Sequence, residues 1–161
     1  MKSRSHNSRD FSPDWETART LFAALRQRGQ VITVGDSLEA KGIALLLREK
    51  DVWALKDSDL SGYWQRADLS AVPAFLNEYG FHHYLPRLLL YCASHPNNGD
   101  LLIYSLISGL NRFDPKLAGQ DYSDKQYEFL FQIANKIASK FEAGDDSGEQ
   151  LIQALNRYKV R

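Results

Sequence analysis

Ser37 is the residue most readily imagined in chemistry. It stands in Val34-Gly35-Asp36-Ser37-Leu38, behind Val31 and Ile32, an order that suits a serine nucleophile on a strand-to-helix turn. Hydrolysis by such a serine needs an oxyanion hole and an imidazole that takes the hydroxyl proton, often from an Asp-x-x-His segment. None of the four histidines, His6, His82, His83 and His95, has an aspartate three residues before it. The same stretch also suits a helix N-terminus, with Asp36 and Glu39 as a carboxylate capping box, and the sequence favours that reading.

His82, His83, Cys92 and His95 form the other reactive set. Cys92-Ala-Ser-His95 sets two zinc-type ligands one helical turn apart. Neighbouring helical side chains diverge by about 100°, so His82 and His83 cannot both face one ion without distortion. Cys92 therefore reads as a small core residue and the histidines as buried polar or solvated groups. The run Asp145-Asp146-Ser147-Gly148-Glu149 offers oxygen ligands without the spacing of a calcium loop, and predicts a helix-capping loop instead. No glycine cluster stands between a strand and a helix to cradle phosphate. These residues predict a protein that is not an enzyme, with no catalytic residue, no metal and no cofactor. The rival reading is a hydrolase or metal-dependent enzyme that uses Ser37 or His82, His83 and His95.

Charge and composition narrow the partners. The 161 residues carry 20 basic and 20 acidic side chains, so no overall field draws the chain to nucleic acid, despite the N-terminal arginines Arg4, Arg9, Arg19, Arg26 and Arg28. A single cysteine excludes an internal disulfide, and the apolar runs are too short to span a bilayer, so a cytoplasmic protein with no membrane partner is expected. The charge is uneven: residues 31–80 hold five basic and eight acidic side chains. Within them, Asp51, Asp57, Asp59, Tyr63 and Asp68 surround Trp53 and Trp64, and Glu78, His82 and His83 follow. Aromatic anchors with carboxylates for steering suit a protein-binding surface. The competing role for the tryptophans is to pin short helices to the core.

The elements that must position these residues are helical. Ser12 and Pro13 open a first helix, with Trp15, Ala18, Leu21, Phe22 and Leu25 inward until Gly29. Residues 30–34 are the one β-branched run and predict at most a short extended link. A second helix follows through Leu38, Ile43, Leu46 and Leu47, and 57–64 reads as a short helical piece. Residues 77–96 are too densely apolar for a surface helix and mark the buried centre, with a kink or break expected near Pro86, whose ring deprives the carbonyl of His82 of its donor. Asp100 starts a further helix. Ser123 and Gln126 make a capping box ahead of Tyr127, Leu130, Phe131, Ala134, Ile137, Ala138 and Phe141. Leu151, Ile152, Leu155 and Tyr158 define the last helix. The expected fold is all-α: a flexible tail over 1–11, then a single domain over 12–161 of six or seven helices.

The stretch Phe81-His82-His83-Tyr84-Leu85-Pro86, after Leu76-Asn77-Glu78 and before Leu88-Leu89-Leu90, resembles a bacterial family classed as a domain of unknown function. The likeness extends upstream through Glu39 to Trp53 and Leu55, and downstream to Ala154-Leu155-Asn156-Arg157-Tyr158. His83 and Arg87 stand where that family has a tyrosine and an alanine. The resemblance implies a compact helical fold and transfers no catalytic residue. Small, motif-poor helical proteins of this kind are often immunity proteins that bind a cognate toxin domain, such as that of a contact-dependent inhibition system. The expected partner is therefore a protein, probed through Asp51, Asp57, Asp59, Tyr63, Asp68, Glu78, His82 and His83. A regulatory adaptor is the further alternative.

Overall fold

Helix starts in this chain are written in short polar side chains, and the architecture follows from where they fall. A computed structural model describes residues 13–23, 34–48, 51–60, 63–64, 67–68, 71–95, 100–114 and 122–159. Among these the chain forms α1 (Pro13–Leu21), α2 (Leu38–Arg48), α3 (Val72–Phe75), α4 (Glu78–Ser94), α5 (Asp100–Arg112), α6 (Asp124–Ala138) and α7 (Ser147–Lys159). Two 3-10 turns, Val52–Ala54 and Asp57–Asp59, lie between α2 and α3. They are followed by a two-residue antiparallel pair, β1 (Tyr63–Trp64) with β2 (Ala67–Asp68), in the register Tyr63 opposite Asp68. The domain is all-α, as the periodicity predicts. The tail and most of the 30–34 link lie outside the described residues.

α4 is the axis of the fold. Asn77 caps it, its side-chain oxygen accepting from the amide of Gly80 at 2.8 Å. Every residue from 80 to 92 is buried, so this helix is enclosed on all sides and not along one stripe. α1, α5, α6 and the Val52–Ala54 turn pack round it, and α7 closes over α5 and α6. Leu85, Leu88 and Leu89 are buried at its centre. Burial of such a side chain is worth about 1.5–3 kcal/mol.

Of the kink or break expected near Pro86, the break does not occur; α4 runs unbroken from Glu78 to Ser94. The carbonyl of His82, which Pro86 cannot serve, accepts instead from the hydroxyl of Tyr122 at 2.6 Å. A long-range donor replaces the missing local one, and the reason to break the helix disappears.

Three other expectations are corrected. Residues 57–64 do not form one helical piece; Asp57–Asp59 is a single 3-10 turn, opened by Asp59 accepting from the amide of Lys56 at 2.9 Å, and the aromatic Tyr63 and Trp64 enter an extended pair. The cap of α2 is Ser37 and not Asp36: its hydroxyl oxygen accepts from the amide of Ala40 at 3.0 Å. Gly35 precedes it at φ +94°, a backbone that favours glycine. In α6 the capping box of Ser123 and Gln126 forms as read, but the buried face is Phe129, Leu130, Ile133, Ala134 and Ile137. Phe131 lies on the flank, half-buried, with the ammonium of Lys159 5.7 Å from its ring centre. Because α6 is held between α4 and α7, its buried stripe is turned from the one the spacing suggests.

Candidate functional site

The acidic segment is tied into the fold more tightly than a solvated patch would be. Asp57 binds the guanidinium of Arg87, a side chain of α4 that is 1% exposed, at 2.6 Å. Arg87 also donates to the carbonyl of Leu55 from Nε at 3.2 Å and from Nη2 at 3.0 Å, and its guanidinium carbon lies 4.6 Å from the ring centre of Trp15. Burial lowers the affinity of Arg87 for its proton, and the hydrogen bond and charge of Asp57 oppose that shift. His95, from the end of α4, brings Nε2 to 3.6 Å from the second oxygen of Asp57. Asp57 is thus the counter-ion of a buried cation. Such a role has no local sequence signature, because 30 positions separate it from Arg87.

Trp53 is edge-on to Trp15 with ring centres 5.6 Å apart, and its indole NH points to the carbonyl of Phe22 at 3.5 Å. It pins the turn to α1, as the competing reading of the tryptophans has it. Asp51 caps this turn by accepting from the amide of Trp53 at 3.0 Å, and remains exposed. Glu78 accepts from the amide of Asp114 at 2.8 Å, joining the start of α4 to the chain beyond α5. Tyr63 and Asp68 face each other across the strand pair, and only their backbone is among what is described.

His82 and His83 are wholly buried, so as placed neither can touch a docked protein, and both leave the set of surface candidates. The cause is the all-round burial of α4, where even adjacent side chains that diverge both meet other elements. Nδ1 of His82 lies 2.9 Å from the carbonyl of Glu78, an atom that only accepts, so this nitrogen carries the proton. Its ring faces Phe113, Tyr122 and Tyr158. His83 stacks on Tyr79 at 5.9 Å and meets Tyr84 edge-on at 4.9 Å. Nε2 of His82 and both nitrogens of His83 have no hydrogen-bond partner among the described residues. Burial depresses the proton affinity of both rings, against the pull of Glu78 and Asp114 on His82 and of Asp51 on His83.

The remaining reactive candidates are dispersed. Ser37 is occupied as a helix cap, Cys92 is buried with its thiol pushed up to about 12 by desolvation, and His95 bonds to the carbonyl of Tyr91 through Nδ1. Among the described residues no three His, Cys, Asp or Glu side chains are grouped to hold a metal ion. No described helix is long and apolar enough to cross a membrane. Asp145 accepts from the amide of Ser147 at 2.9 Å, so the expected capping loop of α7 is present.

Two surface features escape the sequence pattern. Leu38 and Leu45 are 68% and 46% exposed, and Val34 just before α2 is likewise exposed. Leu38 and Leu45 lie two helical turns apart and share the outer face of α2, which packs its other side on α3 and β2. The signal was available in Leu45-Leu46-Leu47: three successive helical leucines span about 200° and cannot all turn inward on a helix buried along one face. The second feature is an open groove of about 680 Å³ where α5 meets the α6–α7 loop, lined by Tyr104, Lys140, Phe141, Glu142, Asp145 and Asp146 among others. Part of its polar lining is engaged internally: Lys140 donates to the carbonyl of Ala93, and Ser147 donates to the Tyr104 hydroxyl at 3.2 Å.

No family model, curated protein or solved structure matches this chain.

Proposed function

We propose that this chain is a small binding protein, of the immunity type, that captures and neutralises a cognate toxin domain, and that it does no bond-breaking chemistry itself. The observation that carries the reading is the outer face of α2, where Leu38 and Leu45 stand exposed while the opposite face of the helix is buried. Single exposed leucines are common and need no explanation. Two at an interval of seven, with exposed Val34 leading into the helix and exposed Lys41 between them, form an anchor pattern that suits a protein partner. The exposed carboxylate of Asp51, in the turn after α2, adds a surface charge that suits steering. The condition of the reactive side chains supports binding over catalysis: Ser37 is a cap, Cys92 holds its proton, and His82 and His83 are sealed in the core.

The test is co-purification with the product of the neighbouring gene, using the parent chain and a Leu38→Asp, Leu45→Asp double variant. Association at micromolar concentration that the double variant loses, together with loss of the partner's activity in the complex, is the expected result. No association rejects the immunity reading, undiminished association of the variant rejects the α2 surface, and association without inhibition leaves a regulatory adaptor.

A further inference from the structure

We propose that His82 and His83 form a proton-triggered release in the middle of α4, holding the domain closed while both rings are neutral and opening it when either takes up a proton. The geometry has three parts. Both rings are completely buried, three of their four nitrogens lack a hydrogen-bond partner among the described residues, and the two side chains face different neighbours. His82 looks toward the chain after α5, the segment before α6, and α7, through Phe113, Tyr122 and Tyr158. His83 lies between Tyr79 and Tyr84 on its own helix, with Asp51, the cap of the Val52–Ala54 turn, as the charge that acts on it.

A neutral imidazole, with one donor, one acceptor and no charge, packs here as an aromatic ring at a smaller desolvation cost than its charged form. An imidazolium does not, since both nitrogens become donors and the charge must be solvated or paired. The charged and titratable groups near His82 are Glu78 and Asp114, with the phenols Tyr122 and Tyr158; those near His83 are Asp51, Tyr79 and Tyr84. Glu78 is already engaged with the amide of Asp114, and Asp51 with that of Trp53. Neither carboxylate bonds to an imidazole nitrogen. The tyrosine hydroxyls of Tyr122 and Tyr158 are likewise spent on backbone carbonyls, of His82 for the first and of Leu110 and Phe113 for the second. Proton uptake therefore leaves a buried cation with no carboxylate hydrogen-bonded to it, attracted only at a distance by Glu78 and Asp114 or by Asp51, and the relief is separation of that interface of α4 so that water reaches the ring.

The sign follows from linkage. Each ring has a lower pKa when folded than its ordinary value of 6.5, so its contribution to closure is complete above pH 6.5 and is lost as the pH falls from 6.5 toward the folded-state pKa. Over that interval each histidine raises the open-to-closed ratio by up to about tenfold per pH unit, and the pair by up to about a hundredfold. Carboxylate protonation produces its own loss of stability at lower pH.

The experiment is urea denaturation of the full chain at pH 7.5, 6.0 and 5.0, for the parent, His82→Gln and His83→Phe, with amide hydrogen exchange of α4 in the parent. The quantity read is the ratio of unfolding constants between pH 7.5 and 5.0 within each protein, so a general weakening by a substitution cancels. The parent constant should rise by at least tenfold, each variant should lose up to tenfold per pH unit of that rise, and exchange of α4 amides should follow the same pH dependence after correction for intrinsic chemistry. A parent constant that is flat between pH 7.5 and 5.0 overturns the proposal. So does a pH dependence that both variants retain. If a variant fails to fold, the parent's imidazole proton resonances decide: rings that titrate near 6.5 while the native spectrum persists also overturn it.

Discussion

The hydroxyl of Tyr122 donates a 2.6 Å hydrogen bond to the carbonyl of His82, the atom that Pro86 leaves without a helical donor. A proline in a buried central helix is thus accommodated by a side chain 40 positions away. Burial raises the proton affinity of Tyr122 well above its ordinary value, so the donor persists throughout the usable pH range. Tyr122→Phe should destabilise the protein by about 1–3 kcal/mol, the usual penalty for stranding a buried acceptor. In a Pro86→Ala background the new backbone NH serves the same carbonyl, and the substitution should cost at least about 1 kcal/mol less. Denaturation midpoints of the four proteins close this cycle; equal penalties in both backgrounds would place the value of the hydroxyl elsewhere.

The acidic segment separates into a residue that neutralises a buried cation, Asp57, and one that caps a turn, Asp59. Asp57→Ala removes the counter-ion of Arg87 and leaves a buried cation held by the Leu55 carbonyl and the Trp15 ring. Loss of one partner of a buried pair costs about 3–5 kcal/mol, and because Asp57 is itself half exposed the expected loss is about 2–3 kcal/mol. Asp59→Ala removes a cap contact to Lys56 and should cost no more than about 1 kcal/mol. Thermal melts of the two variants test the distinction. A reversed order would show that Arg87 does not depend on Asp57.

In α6 the two phenylalanines two positions apart should behave unequally. Phe129 is 4% exposed and packs against Phe22 at 6.0 Å between ring centres, whereas Phe131 is half-buried on the flank. Phe129→Ala should cost about 3–5 kcal/mol and Phe131→Ala about 1–2 kcal/mol. Urea unfolding of both reads the orientation of the helix directly, and a larger loss at Phe131 would return the buried face to where the spacing alone puts it.

That pair of residues marks the boundary of what the sequence conveys. The existence of α6, its first residue and its capping box are local matters, settled by Ser123, Gln126 and an apolar period of three to four. Which edge of its stripe is covered depends on α4 and α7, which no local period encodes. The same division holds at Pro86, where the unmet carbonyl was legible and its remedy from Tyr122 was not. At the candidate site, acidic residues were visible as a composition shift, but the selection of Asp57 as a counter-ion was made by Arg87 from another helix. The exposed leucines of α2 were written in the triplet 45–47, yet their meaning required knowing that α2 has one covered side.

Two glycines set helix spacing where propensity would predict the opposite effect. Alanine is a better helix former than glycine by about 1 kcal/mol, so Gly109→Ala in α5 and Gly148→Ala in α7 should stabilise isolated helices. A Cβ at 148 would sit 2.5 Å from the backbone Cα of Ala138, and one at 109 would run into the ring of the fully buried Phe81. Neither neighbour can move without displacing α6 or α4. Each substitution should therefore destabilise by about 1–3 kcal/mol, the range for overpacking. Higher melting temperatures in either variant would show that these helices have room to part.

Cys92 offers a probe of whether α4 is closed from end to end. It is buried near the C-terminal part of that helix, and desolvation pushes its thiol up to about 12. Desolvation thus keeps the thiol protonated at pH 8, which disfavours the reactive thiolate even before access is considered. Alkylation by iodoacetamide should therefore be slow in the native protein and rapid in urea, with the native rate set by transient opening of the helix. Fast native labelling would show that Cys92 is open to solvent and that this part of α4 is not packed as described. Because slow labelling follows from a packed, dry environment, this measurement reads the closure of α4 around Cys92 without any knowledge of substrate or partner.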